Sequence, residues 1–238
     1  MTQPLAISAL KKFFGNKPAV SNVSFDIQAA EIVGLLGVNG AGKSTLIKSM
    51  LDLTEIDDGA IELFGEAHRL TASRRNLSYL PEQFRPPYFA TGLDVLNMVA
   101  GIDGVQFKQV DIAQYCESLA LDQAVLHQPC KTYSKGMRQK LGLIACLLSN
   151  KSLLILDEPM SGLDPLARRL FKDCIIEQRA KQNAVLFSTH LLDDIESVCD
   201  RVLVLDQGQL KFDGPIAKLL ETTGKATLES AFLTTIGK

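Results

Sequence analysis

A glycine-rich stretch that ends in lysine, serine and threonine carries the strongest chemical signal in the sequence. Residues 37–45 read Gly-Val-Asn-Gly-Ala-Gly-Lys-Ser-Thr and fit the template G-x-x-x-x-G-K-[ST]. Glycines let such a loop turn tightly and point its N–H groups at phosphate oxygens, while the lysine reaches the β- and γ-phosphates and the serine hydroxyl binds Mg²⁺. We therefore predict a nucleoside triphosphate site formed by Gly37, Asn39, Gly40, Ala41, Gly42, Lys43, Ser44 and Thr45.

Two carboxylates at the end of an apolar run supply the second signal. Residues 153–156 are wholly apolar, as in an inner strand of a parallel sheet, and Asp157 and Glu158 follow directly. Ligands bind beyond the carboxyl ends of such strands. We expect Asp157 to hold Mg²⁺, directly or through water, and Glu158 to polarise or deprotonate an attacking water. An acidic helix cap is the alternative explanation.

Two further positions carry weaker signals. Ser134 is a good N-cap at the start of residues 134–148, a segment with helical apolar spacing, and Gly136 could free backbone amides for an anion. Helix capping explains both residues better when they are taken alone. His190 follows a predicted strand at 184–188, where an imidazole could hydrogen-bond a γ-phosphate. A single histidine in this setting is more often structural.

The order of predicted elements indicates an α/β core with a helical insert. Strands and helices alternate before residue 84 and after residue 150, whereas the segment between them has mostly helical spacing. A turn is predicted at residues 15–18, between two early strands, and a helix with a short tail at residues 215–238. We expect one domain built from a nucleotide-binding core, the insert and a C-terminal tail, at residues 1–83 with 151–223, 84–150, and 224–238.

Composition excludes several classes of function. The 25 basic and 27 acidic residues give a net charge of −2, so no overall positive field attracts nucleic acid. The five cysteines include no C-x-x-C pair, which argues against a zinc site or a disulfide framework. No apolar run approaches the roughly 20 residues that cross a bilayer. We therefore expect any action on a membrane to pass through a partner.

In this order and spacing, the motifs resemble those of the ATP-binding subunit of ABC transporters over essentially the whole chain. Residues 37–45 look like Walker A, residues 133–137 occupy the place of the signature sequence, and residues 153–158 look like Walker B. Residues 161–164 match the D-loop, and His190 matches the switch histidine. Phe14 sits where the family places an aromatic residue that stacks on adenine, and a Phe in a strand core is the alternative explanation.

The resemblance implies a fold, a reaction and roles for named residues. The implied fold is a P-loop NTPase core with a RecA-like mixed or parallel sheet flanked by helices, an antiparallel β-subdomain and a helical insert. The implied activity is hydrolysis of ATP with Mg²⁺, with Lys43, Glu158 and His190 in catalytic roles. In the family, two such subunits enclose two ATP molecules, and the signature of one subunit completes the site of the other. This assigns nucleotide contacts across a dimer to Ser134 and Gly136, and the match to the D-loop adds Asp164 as a nucleotide-binding residue.

Three departures from the family pattern are visible. The signature is Tyr-Ser-Lys-Gly-Met instead of Leu-Ser-Gly-Gly-Gln, so Lys135 adds a positive charge near the expected phosphate position. The glutamine that links Mg²⁺ to the membrane subunit is replaced at its aligned place by Glu82, with Gln83 beside it, and both remain candidates. Phe14 replaces the tyrosine that more often stacks on the base, without its hydroxyl.

The resemblance also implies partners and a location. We expect membrane-spanning permease subunits and a peripheral position on the cytoplasmic side of the cell membrane. We also expect a second ATP-binding subunit, for which a second copy of this chain is favoured over a relative of it. Residues 84–89, rich in proline and aromatic side chains, are a candidate contact with the permease, or else an irregular turn of the domain itself. The forms of residues 133–138 and 228–233 resemble those of exporter subunits.

A soluble ATPase of the same type, acting on ribosomes or DNA, is the alternative function. The ribosomal type needs two tandem cassettes, and 238 residues hold only one. The DNA-repair type needs a long heptad insertion, which the segment 84–150 lacks. The net charge of −2 also gives no support for nucleic acid as a partner.

Overall fold

The computed structural model describes residues 3–237, which form two β-sheets and eight α-helices. The outermost residues of the predicted ranges 1–83 and 224–238 therefore lie outside the described part. The strands, β1 to β10 in chain order, are Leu5–Phe14, Lys17–Ile27, Ile32–Leu36, Asp58–Leu63, Glu66–Ala67, Leu77–Leu80, Leu153–Leu156, Ala184–Thr189, Arg201–Asp206 and Gln209–Gly214. The helices, α1 to α8, are Lys43–Met50, Gly92–Asp103, Gln109–Ser118, Lys135–Leu148, Pro165–Ala180, Leu192–Glu196, Ile216–Thr223 and Leu228–Thr235.

The larger sheet brings the three predicted chemical motifs to one edge. Its strand order is β10-β9-β3-β8-β7-β6, and the strands are parallel except for β10. Strands β3, β8 and β7 are consecutive neighbours, with Leu36 opposite Thr189 and Leu156 opposite Phe187. Because parallel strands share their carboxyl edge, the segments that follow these strands emerge side by side.

The smaller sheet is antiparallel and covers the phosphate-loop helix. Its order is β2-β1-β4-β5. Helix α1 contributes Leu46, Ile47 and Met50 to a buried cluster that includes Leu5 and Ile61 of this sheet and one face of the larger sheet. Burial of such side chains contributes roughly 1.5–3 kcal/mol each, so α1 is held firmly between the sheets. The α/β class and the antiparallel β-subdomain predicted from the sequence are confirmed.

The helices between β6 and β7 pack on the other side of the molecule. Helices α2, α3 and α4 share a second buried cluster with the central sheet. Thr91 caps α2 in a reciprocal capping box with Asp94, and Ser134 caps α4 by accepting the N–H of Met137 at 3.1 Å. The helical spacing read from residues 84–150 therefore corresponds to real helices.

Two local predictions differ from the structure. The turn expected at residues 15–18 is shorter, because only Gly15 and Asn16 leave the ladder and Pro18 already pairs with Phe13. Proline is tolerated there because β2 lies at the end of the antiparallel sheet, where the missing N–H breaks no ladder. The single terminal helix is in fact two, α7 and α8, separated at Gly224, whose φ of 64° ends α7 in a left-handed cap.

Candidate nucleotide-binding site

The phosphate loop requires glycine for steric reasons that the structure makes explicit. Gly40 and Gly42 have φ angles of 82° and 108°, which side chains rarely adopt. A Cβ at Gly42 would lie 2.5 Å from the carbonyl oxygen of Ala19, and a Cβ at Gly37 would lie 2.5 Å from that of Leu205. The loop is therefore wedged against neighbouring backbone and cannot accept larger residues at these points.

A buried cation lies at the centre of this loop. Lys43 is 7% exposed, and its Nζ donates to the carbonyl oxygen of Gly37 at 2.7 Å. The N-terminus of α1, which starts at Lys43, has Gly42 as its N-cap and no side chain that accepts its first N–H groups. Free N–H groups, the positive end of the helix dipole and a lysine together favour an anion with several negative charges. These features fit the phosphates of a nucleotide.

The two carboxylates that follow β7 face different partners. Asp157 is 4% exposed, and the hydroxyl of Ser188 donates to its Oδ1 at 2.6 Å. The Glu158 carboxylate lies 3.7 Å from Lys43 Nζ through one oxygen and 2.9 Å from His190 Nδ1 through the other. The structure thus brings together Lys43, Glu158 and His190, the three residues to which the resemblance assigns catalytic roles.

These side chains border one large cavity of about 840 Å³. That volume falls within the range of pockets that bind small molecules, roughly 300–1,000 Å³. Phe14, which is 57% exposed, lies at one part of the lining, where its ring can stack on a base. The predicted residues that line the cavity are Phe14, Asn39, Gly40, Ala41, Gly42, Lys43, Ser44, Thr45, Glu82, Glu158 and His190.

Several lining residues carry no signal in the sequence. Gln207 and Gly208 form the turn between β9 and β10, and Gly208 donates its N–H to the carbonyl oxygen of Ala41 at 2.8 Å. Ser21 in turn donates to the Gly208 carbonyl at 2.8 Å. The sequence shows a turn here, but nothing in it indicates that the turn contacts the phosphate loop. The lining also includes Lys17, Pro18 and Ala19, which the sequence does not indicate, and Val38 and Ser161, which lie within the motif segments 37–45 and 161–164.

The two candidates for the loop glutamine lie in different surroundings. Glu82 lines the cavity, whereas the amide oxygen of Gln83 accepts a hydrogen bond from Arg85, outside the cavity lining. Tyr79, near the end of β6, is half-buried. Burial raises its pKa to about 12, and the negative charges of Asp157 and Glu82 act in the same direction. A carboxylate, rather than an amide, therefore borders the nucleotide pocket at this position.

Three predicted nucleotide-binding residues, Ser134, Gly136 and Asp164, lie outside the cavity of their own chain. Ser134 and Asp164 are exposed helix caps. The Asp164 carboxylate accepts a hydrogen bond from the N–H of Ala167, and this bond holds the pKa of the carboxyl below its usual value. Gly136 lies against the D-loop, because a Cβ there would be 2.9 Å from the carbonyl oxygen of Gly162. Within one chain, capping explains Ser134 and Asp164.

The residues that could hold Mg²⁺ are oxygen donors near the phosphate loop. Ser44 lies in the first turn of α1 beside Lys43, and Asp157 follows β7 at the same edge of the sheet. Hydroxyl and carboxylate oxygens are the donors that Mg²⁺ prefers, together with phosphate oxygens and water. The donor set therefore fits this metal.

Comparison with known proteins identifies the family. The family described as ABC transporter matches residues 20–161, which is more than half of the chain. The uncharacterized ABC transporter ATP-binding protein YdbJ of Bacillus subtilis (strain 168) is 36% identical over 96% of this chain and 75% of that protein. The ABC-type transporter ATP-binding protein EcsA of the same organism is 31% identical over 96% of this chain and 95% of that protein.

Solved structures agree with the sequence comparison. A structure described as the ATP binding subunit of an ABC transporter superposes with a TM-score of 0.89 at 30% identity, over 97% of this chain and 98% of that one. A nucleotide-free ATP-binding cassette superposes with a TM-score of 0.78 at 20% identity, over 96% and 99% of the two chains, which shows the shared fold. The chain belongs to the ABC transporter family and is an ATPase with the fold of that family's ATP-binding cassette.

Proposed function

We propose that this chain binds and hydrolyses ATP to energise a membrane transporter, and that the transporter is an exporter. The main support for the ATPase mechanism is that Lys43, Glu158 and His190 line one cavity, where the Glu158 carboxylate lies 3.7 Å from Lys43 Nζ and 2.9 Å from His190 Nδ1. The alternative of a soluble ATPase acting on ribosomes or DNA is not favoured by the relatives, whose names place them in ABC transporters.

The proposed mechanism assigns a separate task to each group. Lys43 and the N–H groups of the phosphate loop bind the phosphates, and Phe14 stacks on the adenine. Ser44 and Asp157 hold Mg²⁺, with Glu82 beside them and Gln83 as the less favoured candidate. When bound, the metal neutralises developing charge on the phosphate oxygens. Glu158 takes a proton from the attacking water, and His190 orients the Glu158 carboxylate and contacts the γ-phosphate.

We further propose that two copies of the chain close around two ATP molecules. Ser134 and Asp164 support this because they are exposed and lie outside the cavity of their own chain. The N-terminus of α4, with Ser134 and Gly136, is then available to bind the γ-phosphate held by the other copy. Closure would pull on the permease subunits and hydrolysis would release it.

The exposed aromatic pair before α2 is the proposed contact with the permease. Tyr88 and Phe89 are 69% and 90% exposed, which is unusual for large apolar side chains. None of the helices within residues 3–237 is long and apolar enough to span a bilayer. The chain would therefore reach the cytoplasmic side of the membrane through this contact with membrane-spanning subunits.

Replacing both aromatic residues tests the assignment to a transporter. In cells that produce the chain, the double variant Y88S/F89S is expected to lose about tenfold or more of its membrane-bound fraction, because buried aromatic residues contribute about 2 kcal/mol or more each at interface hot spots. ATP binding by the purified variant should stay unchanged, since neither side chain lines the cavity. Membrane fractionation of the tagged chain and a nucleotide titration measure the two effects.

Leu53 provides a matched control for this experiment. It is 64% exposed and follows α1, in a different part of the sequence from the aromatic pair. The variant L53S should fractionate with membranes as the unchanged chain does. A chain that is never found with membranes, or one whose membrane-bound fraction is the same in Y88S/F89S, would contradict the proposed contact.

A further inference from the structure

A buried serine next to the two carboxylates has no role in the mechanism described so far. Ser188 is 0% exposed and lies near the end of β8, between β3 and β7 in the central sheet. Its backbone is opposite Leu35 of β3, the strand that leads into the phosphate loop. On the other side, Phe187 is opposite Leu156, so Ser188 and Asp157 are the next residues along the two neighbouring strands.

The Ser188 hydroxyl contacts both residues that follow β7. It donates its hydrogen to Asp157 Oδ1 at 2.6 Å and accepts the backbone N–H of Glu158 at 2.9 Å. A hydroxyl has one hydrogen to donate, so the Glu158 N–H fixes which way that hydrogen points. The hydrogen therefore points at Asp157 Oδ1, and this hydrogen bond holds one of the two carboxylate oxygens in a defined position.

The backbone at Glu158 needs such a partner. Its φ is 47°, in the left-handed region that residues other than glycine seldom occupy. Residues in such conformations persist only where their surroundings hold them, and they concentrate at functional sites. The Ser188 hydroxyl accepts the N–H of this strained residue, and His190, two residues further along the chain, hydrogen-bonds its carboxylate.

We propose that Ser188 is a positioning residue that fixes Asp157 for the metal and Glu158 for the attacking water. The inference rests on the proposed function, because it assumes that these two carboxylates hold Mg²⁺ and activate water. Ser188 is absent from the cavity lining, as is Asp157, and its hydroxyl is already used in the bonds to Asp157 and Glu158. It acts by restricting each carboxylate-bearing residue to one orientation, as partners of metal ligands do in other sites.

The change S188A tests this role by removing the hydroxyl and little else. Because loss of such a partner typically reduces metal affinity or activity by about 10- to 100-fold, we expect weaker binding of metal to the ATP complex by that factor. Mn²⁺ can stand in for Mg²⁺, and its binding can be followed by electron paramagnetic resonance. The measurement is made in the E158Q background, so that ATP is not consumed and the backbone N–H of residue 158 is retained.

A second readout separates positioning from general damage. The affinity for ATP without metal depends on Lys43 and the phosphate loop, and it should stay unchanged in S188A. Ser73 supplies the control, because it is also buried and its hydroxyl donates to the Leu70 carbonyl oxygen at 2.7 Å. It lies far from Ser188 in the sequence. The variant S73A should alter neither metal binding nor ATP binding.

The possible results separate a failure of the Ser188 role from a failure of the proposed ATPase function. Weaker Mn²⁺ binding in S188A with unchanged metal-free ATP affinity supports the positioning role. Unchanged Mn²⁺ binding, or an equal loss of ATP affinity with and without metal, overturns it. If S188A does not fold, S188C takes its place, because a thiol fills the space but is a weak donor and should also weaken Mn²⁺ binding. Absence of ATP binding by the unchanged chain would instead overturn the proposed function.

Discussion

Replacing Lys43 by alanine is expected to lower the affinity for ATP by about 100-fold or more. Hydrogen bonds to charged groups contribute about 1.5–3 kcal/mol each, and the ammonium would contact two phosphate groups at once. The side chain is buried, and its loss also removes the ammonium that lies 3.7 Å from the Glu158 carboxylate. Titration with a fluorescent ATP analogue measures the affinity directly.

Lys48 gives the matched control for this variant. It lies on the same helix α1, but it is exposed and does not line the cavity. The variant K48A removes the same positive charge from the same helix and should bind ATP like the unchanged chain. If K43A also bound ATP with undiminished affinity, the cavity would not be the nucleotide site.

The phosphate loop could be predicted from the sequence because its determinants are local. Residues 37–45 contain the glycines, the lysine and the serine, and the preceding apolar run already indicates β3. The carboxylates after β7 were predictable for the same reason, since an apolar run of four residues ends directly before them. A motif that occupies one strand and the turn after it can be predicted from sequence, because all the residues that define it are neighbours in the chain.

The surroundings of Glu82 and Gln83 depend on contacts that no local pattern records. Both residues follow β6 and both have suitable chemistry, so the sequence leaves the choice open. In the structure Glu82 borders the cavity, whereas the amide oxygen of Gln83 accepts a hydrogen bond from Arg85. The direction of a loop side chain is set by its neighbours in space, which periodicity cannot reveal.

The contact between the phosphate loop and the β9–β10 turn illustrates the same limit at longer range. Gly208 and Ala41 are hydrogen-bonded, although most of the chain separates them. Gly208 has a φ of 76°, and a Cβ there would lie 2.7 Å from the carbonyl oxygen of Ala19. The sequence predicts the turn from its glycine, but only the strand order explains why the turn reaches the site.

The change E158Q is expected to reduce the rate of ATP hydrolysis by about 10²- to 10⁴-fold, the range that general acid–base groups contribute. Glutamine keeps the shape of the side chain and can still bond to His190, but it cannot accept the proton of the attacking water. ATP affinity should stay the same or rise, because a negative charge near Lys43 disappears. Phosphate release by the purified protein measures the rate, and E177Q, an exposed glutamate on α5, serves as the control.

The same variant tests the proposed sandwich of two chains, because bound ATP is no longer consumed. Light scattering should show a shift from monomer to dimer when Mg-ATP is added to E158Q, with Ser134 and Gly136 of one copy closing on the Lys43 site of the other. A monomer that still binds ATP would remove the homodimer from the proposal and leave closure to the permease or to a different cassette. Adding S134A to E158Q then decides whether the signature helix is responsible, since loss of the dimer with retained ATP binding is expected only if Ser134 acts across the interface.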